Sequence, residues 1–174
     1  ILESYNNLKG INHLEGTNLP SREAVEEILN DVLNIIFPGY YEKQELRFED
    51  LNPYLWEKVV SVYHNLSKEI AKSLKTVASI GQKPDEVVSG LAVARTLHFF
   101  SRIPFIRQKL NGDVQASYEG DPAAKSFHEI IISYPGLFAI AIYRVAHELY
   151  HLDIPLIPRT VSYTHLTLPT KRIV

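Results

Sequence analysis

Apolar residues recur every three or four positions along most of this 174-residue chain, and this period constrains the fold more than any other feature. Such spacing places apolar side chains on one face of a helix, whereas a half-buried strand needs apolar residues at every second position. No alternating segment of convincing length occurs in the chain. The sequence therefore predicts an all-α fold made of several amphipathic helices, with no sheet.

The first two predicted helices are bounded by capping and turn residues. One begins after Ser21, whose side-chain oxygen suits a helix N-terminus, and it ends before Pro38-Gly39. The next begins at Asn52-Pro53 and extends towards Gly81, a length of about seven turns. Residues 1–19 are polar and weakly patterned, so they form a lead-in to which no helix is assigned.

Prolines mark the boundaries of the remaining predicted helices. The third begins at Pro84, and we expect Pro104 to break or kink it before a turn at Asn111-Gly112. A fourth begins at Asp121-Pro122, with the aspartate as the cap and proline in the first helical position. It ends before a fifth, very apolar helix that covers about residues 137–152.

Composition and charge exclude several classes of function. The formal net charge is −2 with both signs interspersed, so neither nucleic acid nor a membrane surface is a predicted partner. The chain has no cysteine, which excludes disulfides, cysteine zinc sites and a cysteine nucleophile, and fits a cytoplasmic location. No apolar run reaches the roughly 18 residues that a membrane span needs. The scattered glycines form no phosphate-binding loop.

One short segment, HELYH, matches the H-E-x-x-H pattern of zinc peptidases. In a helix, His147 and His151 lie on one face, and Glu148 would activate a zinc-bound water. A catalytic zinc needs a third protein ligand, and the chain beyond this segment offers only Asp153, which is too close, and His165. No metal site is therefore predicted, and a zinc peptidase stays an alternative.

Four ordered motifs occupy the region from Asp113 to Arg159. They are Asp121-Pro122-Ala123, Ser133-Tyr134-Pro135-Gly136, Tyr143-Arg144 with His147, and Pro155-Leu156-Ile157-Pro158-Arg159. Together they resemble the helical segment of serine O-acetyltransferases. The resemblance implies that the chain is the multi-helix amino-terminal domain of such an enzyme.

The same resemblance implies the domain organisation. A helical domain would cover residues 1–160, and residues 161–174 would form a tail that does not follow the family pattern. In the family, hexapeptide repeats coil into a left-handed β-helix after the helical domain, and the catalytic residues and the acetyl-CoA pocket lie there. This tail has no such repeat, and the chain has no methionine. We therefore expect a fragment that is inactive alone and holds no catalytic or cofactor-binding residue.

The resemblance assigns roles to few side chains. Asp121 would hold the α-amino group of serine, and Pro122 would help to shape the pocket. Arg144 lies in an apolar helix and needs a carboxylate or carbonyl partner, so an ion pair between helices is favoured over substrate contact. His147 is expected to be structural and hydrogen-bonded in the helical interface, and His151 to be incidental.

The resemblance also implies substrates and partners. The full-length enzyme would transfer acetyl from acetyl-CoA to L-serine, giving O-acetylserine for cysteine synthesis, with acetyl-CoA as cosubstrate and no other cofactor. In the family, the helices join two trimers into a hexamer, and cysteine synthase is a possible further partner. The alternative is a helical oligomerisation or interaction module without catalysis, in which Asp121 would do no more than cap a helix.

Overall fold

The computed structural model describes residues 4–5, 9–14, 16, 18–42 and 45–165. Over these residues the regular structure is helical and no strand occurs, which confirms the predicted all-α fold. In chain order the α-helices are α1 (Arg22–Ile36), α2 (Leu51–Lys75), α3 (Ala78–Gly81), α4 (Asp85–Gly120), α5 (Phe127–Ser133), α6 (Pro135–His151) and α7 (Ile157–His165).

Helix α1 forms as its sequence predicts. The Ser21 hydroxyl oxygen accepts a hydrogen bond of 3.3 Å from the backbone N–H of Ala24, which satisfies one of the free donors at the helix start. The N–H of Ser21 itself donates to the Glu69 carboxylate of α2 at 2.9 Å. The cap therefore also fixes where α1 begins relative to α2.

The helices enclose one apolar core. Helix α2 packs on α1 and α4, α6 packs on α4 and α7, and α7 closes the bundle against α1. Side chains that are at most 1% exposed come from each of these helices: Leu29, Leu66, Phe99, Ile142 and Ile157. Burial of one such side chain stabilises the fold by about 1.5–3 kcal/mol, so the interdigitated helix faces hold the bundle together.

The third helix was expected to break or kink at Pro104, and the structure shows no break there. Helix α4 runs without a break from Asp85 to Gly120, through Pro104 and through the expected turn at Asn111-Gly112. A proline inside a helix costs about 3 kcal/mol, and a glycine about 1 kcal/mol. Pro104 and Gly112 lie in turns of the helix whose inward side chains are buried: Ile103, Ile106, Leu110 and Val114. Core packing of these side chains offsets the local cost, and Pro104 itself is exposed.

The predicted helix start at Asp121-Pro122 is also wrong. Asp121 follows the last residue of α4 in an extended conformation, and the next helix begins only at Phe127. Ser126 caps that helix by accepting a hydrogen bond of 3.2 Å from the N–H of Glu129. The cap therefore lies five residues after Asp121, and residues 121–126 form a connecting loop.

Helix α2 ends sooner than predicted, and the short helix α3 follows it. The N–H of Thr76 bonds back to the carbonyl of Ser73, and the chain then turns into α3. Gly81 closes this turn against α2, where a Cβ atom would collide with the carbonyl oxygen of Lys75. The close backbone approach explains why glycine stands at this position.

Helix α7 crosses the boundary predicted at residue 160. Its residue Val161 is 3% exposed and belongs to the core. The turn before α7 places Leu156 at φ 63°, and the Ser73 hydroxyl donates to the carbonyl of Pro155. Residues 166–174 of the predicted tail lie outside the described residues, and its assignment to a non-family origin stays a prediction.

In the described part of the chain, one bent pair of helices has the length and composition of a membrane span. No single helix there combines the length and the apolar character that a span requires. Helices α5 and α6 reach that threshold only when they are taken together, and they are bent by 71° relative to each other.

Candidate functional site

The Asp121 carboxylate is held on both oxygens in the loop after α4. Its Oδ1 accepts a hydrogen bond of 2.9 Å from the N–H of Ala123, and its Oδ2 accepts one of 2.6 Å from the hydroxyl of Tyr134. Tyr134 stands between α5 and α6, so the carboxylate is linked to the second of the four motifs. Each oxygen keeps a further lone pair with which it can accept from a ligand.

These contacts set the charge of the pair. The hydrogen bond from Tyr134, and after it the one from Ala123, lowers the pKa of Asp121 below the ordinary aspartate value. The same bond to the carboxylate, together with partial desolvation, raises the pKa of Tyr134 to about 12. At neutral pH the aspartate is therefore ionised and the tyrosine is a neutral donor.

The loop leaves this carboxylate accessible. Asp121 is half-buried, and its neighbour Pro122 is exposed. The downstream end of the loop is anchored by Ser126 and by Glu129, whose carboxylate accepts a hydrogen bond of 2.9 Å from the N–H of Lys125. A ligand ammonium can reach Asp121 from solvent, where the contact would be charge-assisted.

Arg144 pairs with Asp113 across the α4–α6 interface. Its Nε and Nη2 each donate a hydrogen bond of 2.8 Å to the carboxylate of Asp113, and the side chains are 29% and 23% exposed. The bidentate geometry suits the planar guanidinium. The structure thus places Arg144 in an ion pair between helices, which holds α6 against the last two turns of α4 before Asp121.

His147 is exposed on α6, at the edge of the α4–α6 cleft. Its Nε2 is 3.0 Å from the Nε2 of His151, and its ring stacks on Tyr143 at a centroid distance of 5.6 Å. Tyr143 and Tyr150 are 59% and 69% exposed. They are not part of the core of this chain.

The peptidase alternative finds no support in the arrangement around Glu148. Both carboxylate oxygens accept hydrogen bonds from Arg102, at 2.9 and 3.3 Å, so this side chain is not placed as a base. Among the described residues, no group of three or more metal-binding side chains converges on one point. A catalytic zinc site of the usual three protein ligands is therefore not formed there.

The exposed histidines border a cleft of about 530 Å³ between α4 and α6. It is lined by His98, Arg102, Phe105, Ile106, Lys109, Tyr143, Arg144, His147, Glu148, His151 and Leu152. The sequence did not predict that His98, which it leaves isolated, shares a surface with the other two histidines. His98 lies on α4, and only the packing of α4 against α6 brings it to the same cleft as His147 and His151.

Tyr134 is the contact that sequence analysis missed. Its hydroxyl donates the hydrogen bond that lowers the pKa of Asp121 most. The two residues are 13 positions apart and separated by a helix, so no spacing rule links them. The only available indication was that both belong to the motifs that resemble one family.

Curated relatives are similar to this chain over its helical region. The plasmid serine acetyltransferase of Synechococcus elongatus is 34% identical over 151 residues, which is 84% of this chain and 47% of that protein. Over this region, the chain belongs to the serine acetyltransferase family. A serine acetyltransferase of Synechocystis is 43% identical over 54 residues, and that of Bacillus subtilis is 40% identical over 53 residues. These shorter matches cover 31% and 30% of this chain, and 22% and 24% of the relatives.

Solved structures show the same helical arrangement. Serine acetyltransferase 1 of Entamoeba histolytica in complex with L-cysteine aligns with a TM-score of 0.61 at 21% identity, over 85% of this chain and 47% of that one. Isoform 3 from the same organism, in complex with cysteine, aligns with a TM-score of 0.58 at 22% identity, over 92% of this chain and 52% of that one. No family model matches the chain. The chain spans about half the length of these acyltransferase relatives.

Proposed function

We propose that this chain is the helical amino-terminal part of an enzyme that transfers acetyl from acetyl-CoA to the hydroxyl of L-serine. The relation to serine acetyltransferases over 84% of the chain supports this proposal, as does the helical fold that it shares with solved members. The helices would supply one edge of the serine site. The acyl-transfer residues would belong to the part of the relatives that this chain does not match.

The observation that carries the proposal is the state of Asp121. Two donors orient its carboxylate and keep it ionised, while the side chain stays half exposed at the end of a loop. A carboxylate that is already fixed loses little conformational freedom when it binds a ligand. The α-ammonium of serine would donate to the remaining lone pairs of Asp121, and Pro122 would form the adjacent wall.

The chemistry that this contact would serve is direct acyl transfer. A general base removes the proton of the serine hydroxyl, the oxygen attacks the thioester carbonyl, and the carbon–sulfur bond breaks. The protonated base then donates this proton to the leaving thiolate of coenzyme A. By family resemblance the base is a histidine paired with an aspartate outside this chain. Asp121 takes no proton in this scheme and acts by holding the nucleophile in position.

Assembly, cofactor use and location remain parts of the proposal. A homo-oligomer is supported by large apolar side chains that α5 and α6 expose, among them Ile132 at 63%. A cysteine synthase partner is carried over from the family alone. Acetyl-CoA is expected as cosubstrate with no further cofactor, and the cytoplasm is expected as the location because the chain has no cysteine.

Two activity measurements test the proposal. The purified 174-residue chain is expected to show no serine-dependent consumption of acetyl-CoA, whereas the longer reading frame recovered from the source DNA should show it. In that longer protein, Asp121→Asn should lower kcat/KM for serine by about 10- to 100-fold, the effect of losing a hydrogen bond to a charged group. The KM for acetyl-CoA should not change.

Glu119→Gln is the matched control, because this carboxylate lies two residues away and bonds to the exposed Gln115 side chain. It should leave kcat/KM for serine within about twofold, since a surface contact of this kind contributes little. Equal losses in the two variants would show that local charge, not a contact of Asp121, affects activity. A longer reading frame without acetyl transfer would overturn the proposed function itself.

A further inference from the structure

The His147–His151 pair is not used by the proposed acetyl transfer, and its geometry is unusual for a surface pair. The two Nε2 atoms are 3.0 Å apart, and the ring planes are at 89° to each other. Both side chains are exposed at the edge of the α4–α6 cleft, so solutes reach them freely. Without a ligand, one ring donates its N–H to the bare nitrogen of the other.

Two tyrosines restrict the orientation of the imidazoles. Tyr143 stacks on the ring of His147 with a 25° angle between planes, and Tyr150 contacts the edge of His151 at a centroid distance of 6.0 Å. The helix backbone of α6 fixes the spacing between the two Cα atoms. Both rings must turn from the hydrogen-bonded arrangement to direct their lone pairs at one ion, and the four-residue spacing on the helix keeps the two nitrogens within reach of it.

The distance between the nitrogens is that of their hydrogen bond, and it lies within the range that two ligands of one ion can adopt. With metal–nitrogen bonds of about 2.05 Å, two atoms separated by 3.0 Å subtend about 94° at the ion. Tetrahedral coordination would separate them by about 3.3 Å at the same bond length. An angle near 90° belongs to the square-planar or tetragonal geometry that Cu²⁺ prefers, and imidazole nitrogen is a suitable ligand for that ion.

Carboxylates offset most of the positive charge around the pair. The two arginines of the cleft are each neutralised, Arg102 by Glu148 and Arg144 by Asp113. Lys109 is the further ammonium among the lining residues, and it lies over the ring of Phe105 at 5.4 Å. Because Glu148 is occupied by Arg102, it does not act as a third ligand.

We propose that His147 and His151 form a two-nitrogen chelate for Cu²⁺ on the exposed face of α6. The ring that carries its proton on Nε2 shifts it to Nδ1 through solvent, so the neutral pair binds the ion without net release of protons. No third side chain converges on the site among the described residues, so water fills the remaining positions. The ion is therefore exchangeable, and its role differs from that of a peptidase zinc.

Titration of the intact 174-residue chain with copper sulfate in a non-chelating buffer at pH 7.5 tests the inference. Calorimetry should find one tightest site per chain, and electron paramagnetic resonance should show a tetragonal signal with coupling to two nitrogens. His147→Gln and His151→Gln should each weaken this site by at least about tenfold, because each removes half of the chelate. Ni²⁺ and Zn²⁺ should bind more weakly than Cu²⁺.

His64→Gln is the control, since His64 is also exposed on a helix but has Val60 and Lys68 at the positions four residues away. It should leave the tightest site unchanged. Unchanged copper affinity in His151→Gln, or an equal loss in His64→Gln, would overturn the chelate and show only adventitious binding to single histidines. Circular dichroism should confirm unchanged helicity in all three variants. The readout is binding alone, so its result is independent of acetyl transfer.

Discussion

The hydroxyl of Tyr134 donates a 2.6 Å hydrogen bond to the carboxylate of Asp121 and so joins two motifs that a helix separates. The bond links the loop after α4 to the junction of α5 and α6. Of these two residues, the family resemblance assigns a role only to Asp121. The structure adds that the conformation of this carboxylate depends on Tyr134.

Tyr134→Phe removes that bond and keeps the ring. We expect the pKa of the Asp121 carboxyl to rise towards the ordinary value of about 3.9, because its largest stabilising contact is lost. A lowered pKa in the folded state adds stability above the unfolded-state pKa, and that stability is lost as the pH falls through the folded-state pKa. The variant should therefore be less stable than the parent at pH 7, and the difference should be smaller at pH 2.

Carbon-13 NMR of the Asp121 carboxyl gives the pKa, and urea unfolding at the two pH values gives the stability. Tyr118→Phe is the control, because that ring lies against Phe127 in the same region and has no recorded bond to Asp121. A pKa of Asp121 that is the same in the parent and in Tyr134→Phe would contradict the assignment of the bond.

The sequence predicts those features of the fold that depend on local apolar periodicity and on helix caps. Ser21 caps α1 as expected, and the apolar positions of that helix, such as Val25 and Leu29, are buried as predicted. Each inference needed only residues within one or two turns of each other. The resemblance of the motifs to one family was likewise confirmed by the relatives of the chain.

The features that sequence failed to predict depend on distant contacts. Pro104 is a helix breaker by local rules, but the buried side chains on either side of it decide that α4 continues. Asp121 has the local form of a helix cap, yet its oxygens are taken by Ala123 and by the distant Tyr134. The sequence predicts that Arg144 needs a carboxylate or carbonyl partner, and only the packing of the helices shows that this partner is Asp113.

The Arg144–Asp113 pair should contribute measurably to stability. Arg144→Met leaves a partly buried carboxylate without its partner, so we expect a loss of about 1–2 kcal/mol in the free energy of unfolding. Arg144→Lys should recover less than half of this loss, because an ammonium cannot make the two parallel bonds. Urea unfolding measures all variants.

A double-mutant cycle with Asp113→Asn isolates the interaction. The coupling energy should be about 1 kcal/mol, since both side chains are partly exposed and screened by solvent. Purely additive effects of the two substitutions would mean that the pair aligns the helices without stabilising them.

Two glycines should respond in opposite directions to the same substitution. Gly112→Ala lies inside α4 with no atom within 4 Å of the added Cβ, so it should stabilise the chain by about 0.5–1 kcal/mol. Gly81→Ala should destabilise it, because the Cβ would collide with the backbone carbonyl of Lys75. Thermal unfolding compares both with Gly90→Ala, a second open site in α4 that should behave like Gly112→Ala. A stabilised Gly81→Ala would contradict the close approach.

Arg107 connects the continuity of α4 to the end of α1. It lies one turn beyond Pro104, and its Nη1 donates to the carbonyls of Ile35 and Ile36 at 2.9 and 2.7 Å. These carbonyls have no partner within α1, and a cation at a helix C-terminus is favourable. Arg107→Met should therefore destabilise the chain by about 1 kcal/mol, the low end for bonds to a charged donor, because the residue is exposed. Added salt should reduce the difference in the free energy of unfolding between parent and variant, because screening weakens the interaction of the guanidinium with the helix end in the parent. Urea unfolding measures this difference. Gln108→Met is the control, because Gln108 is the exposed neighbour of Arg107. An equal loss of stability in that variant would contradict the capping role of Arg107.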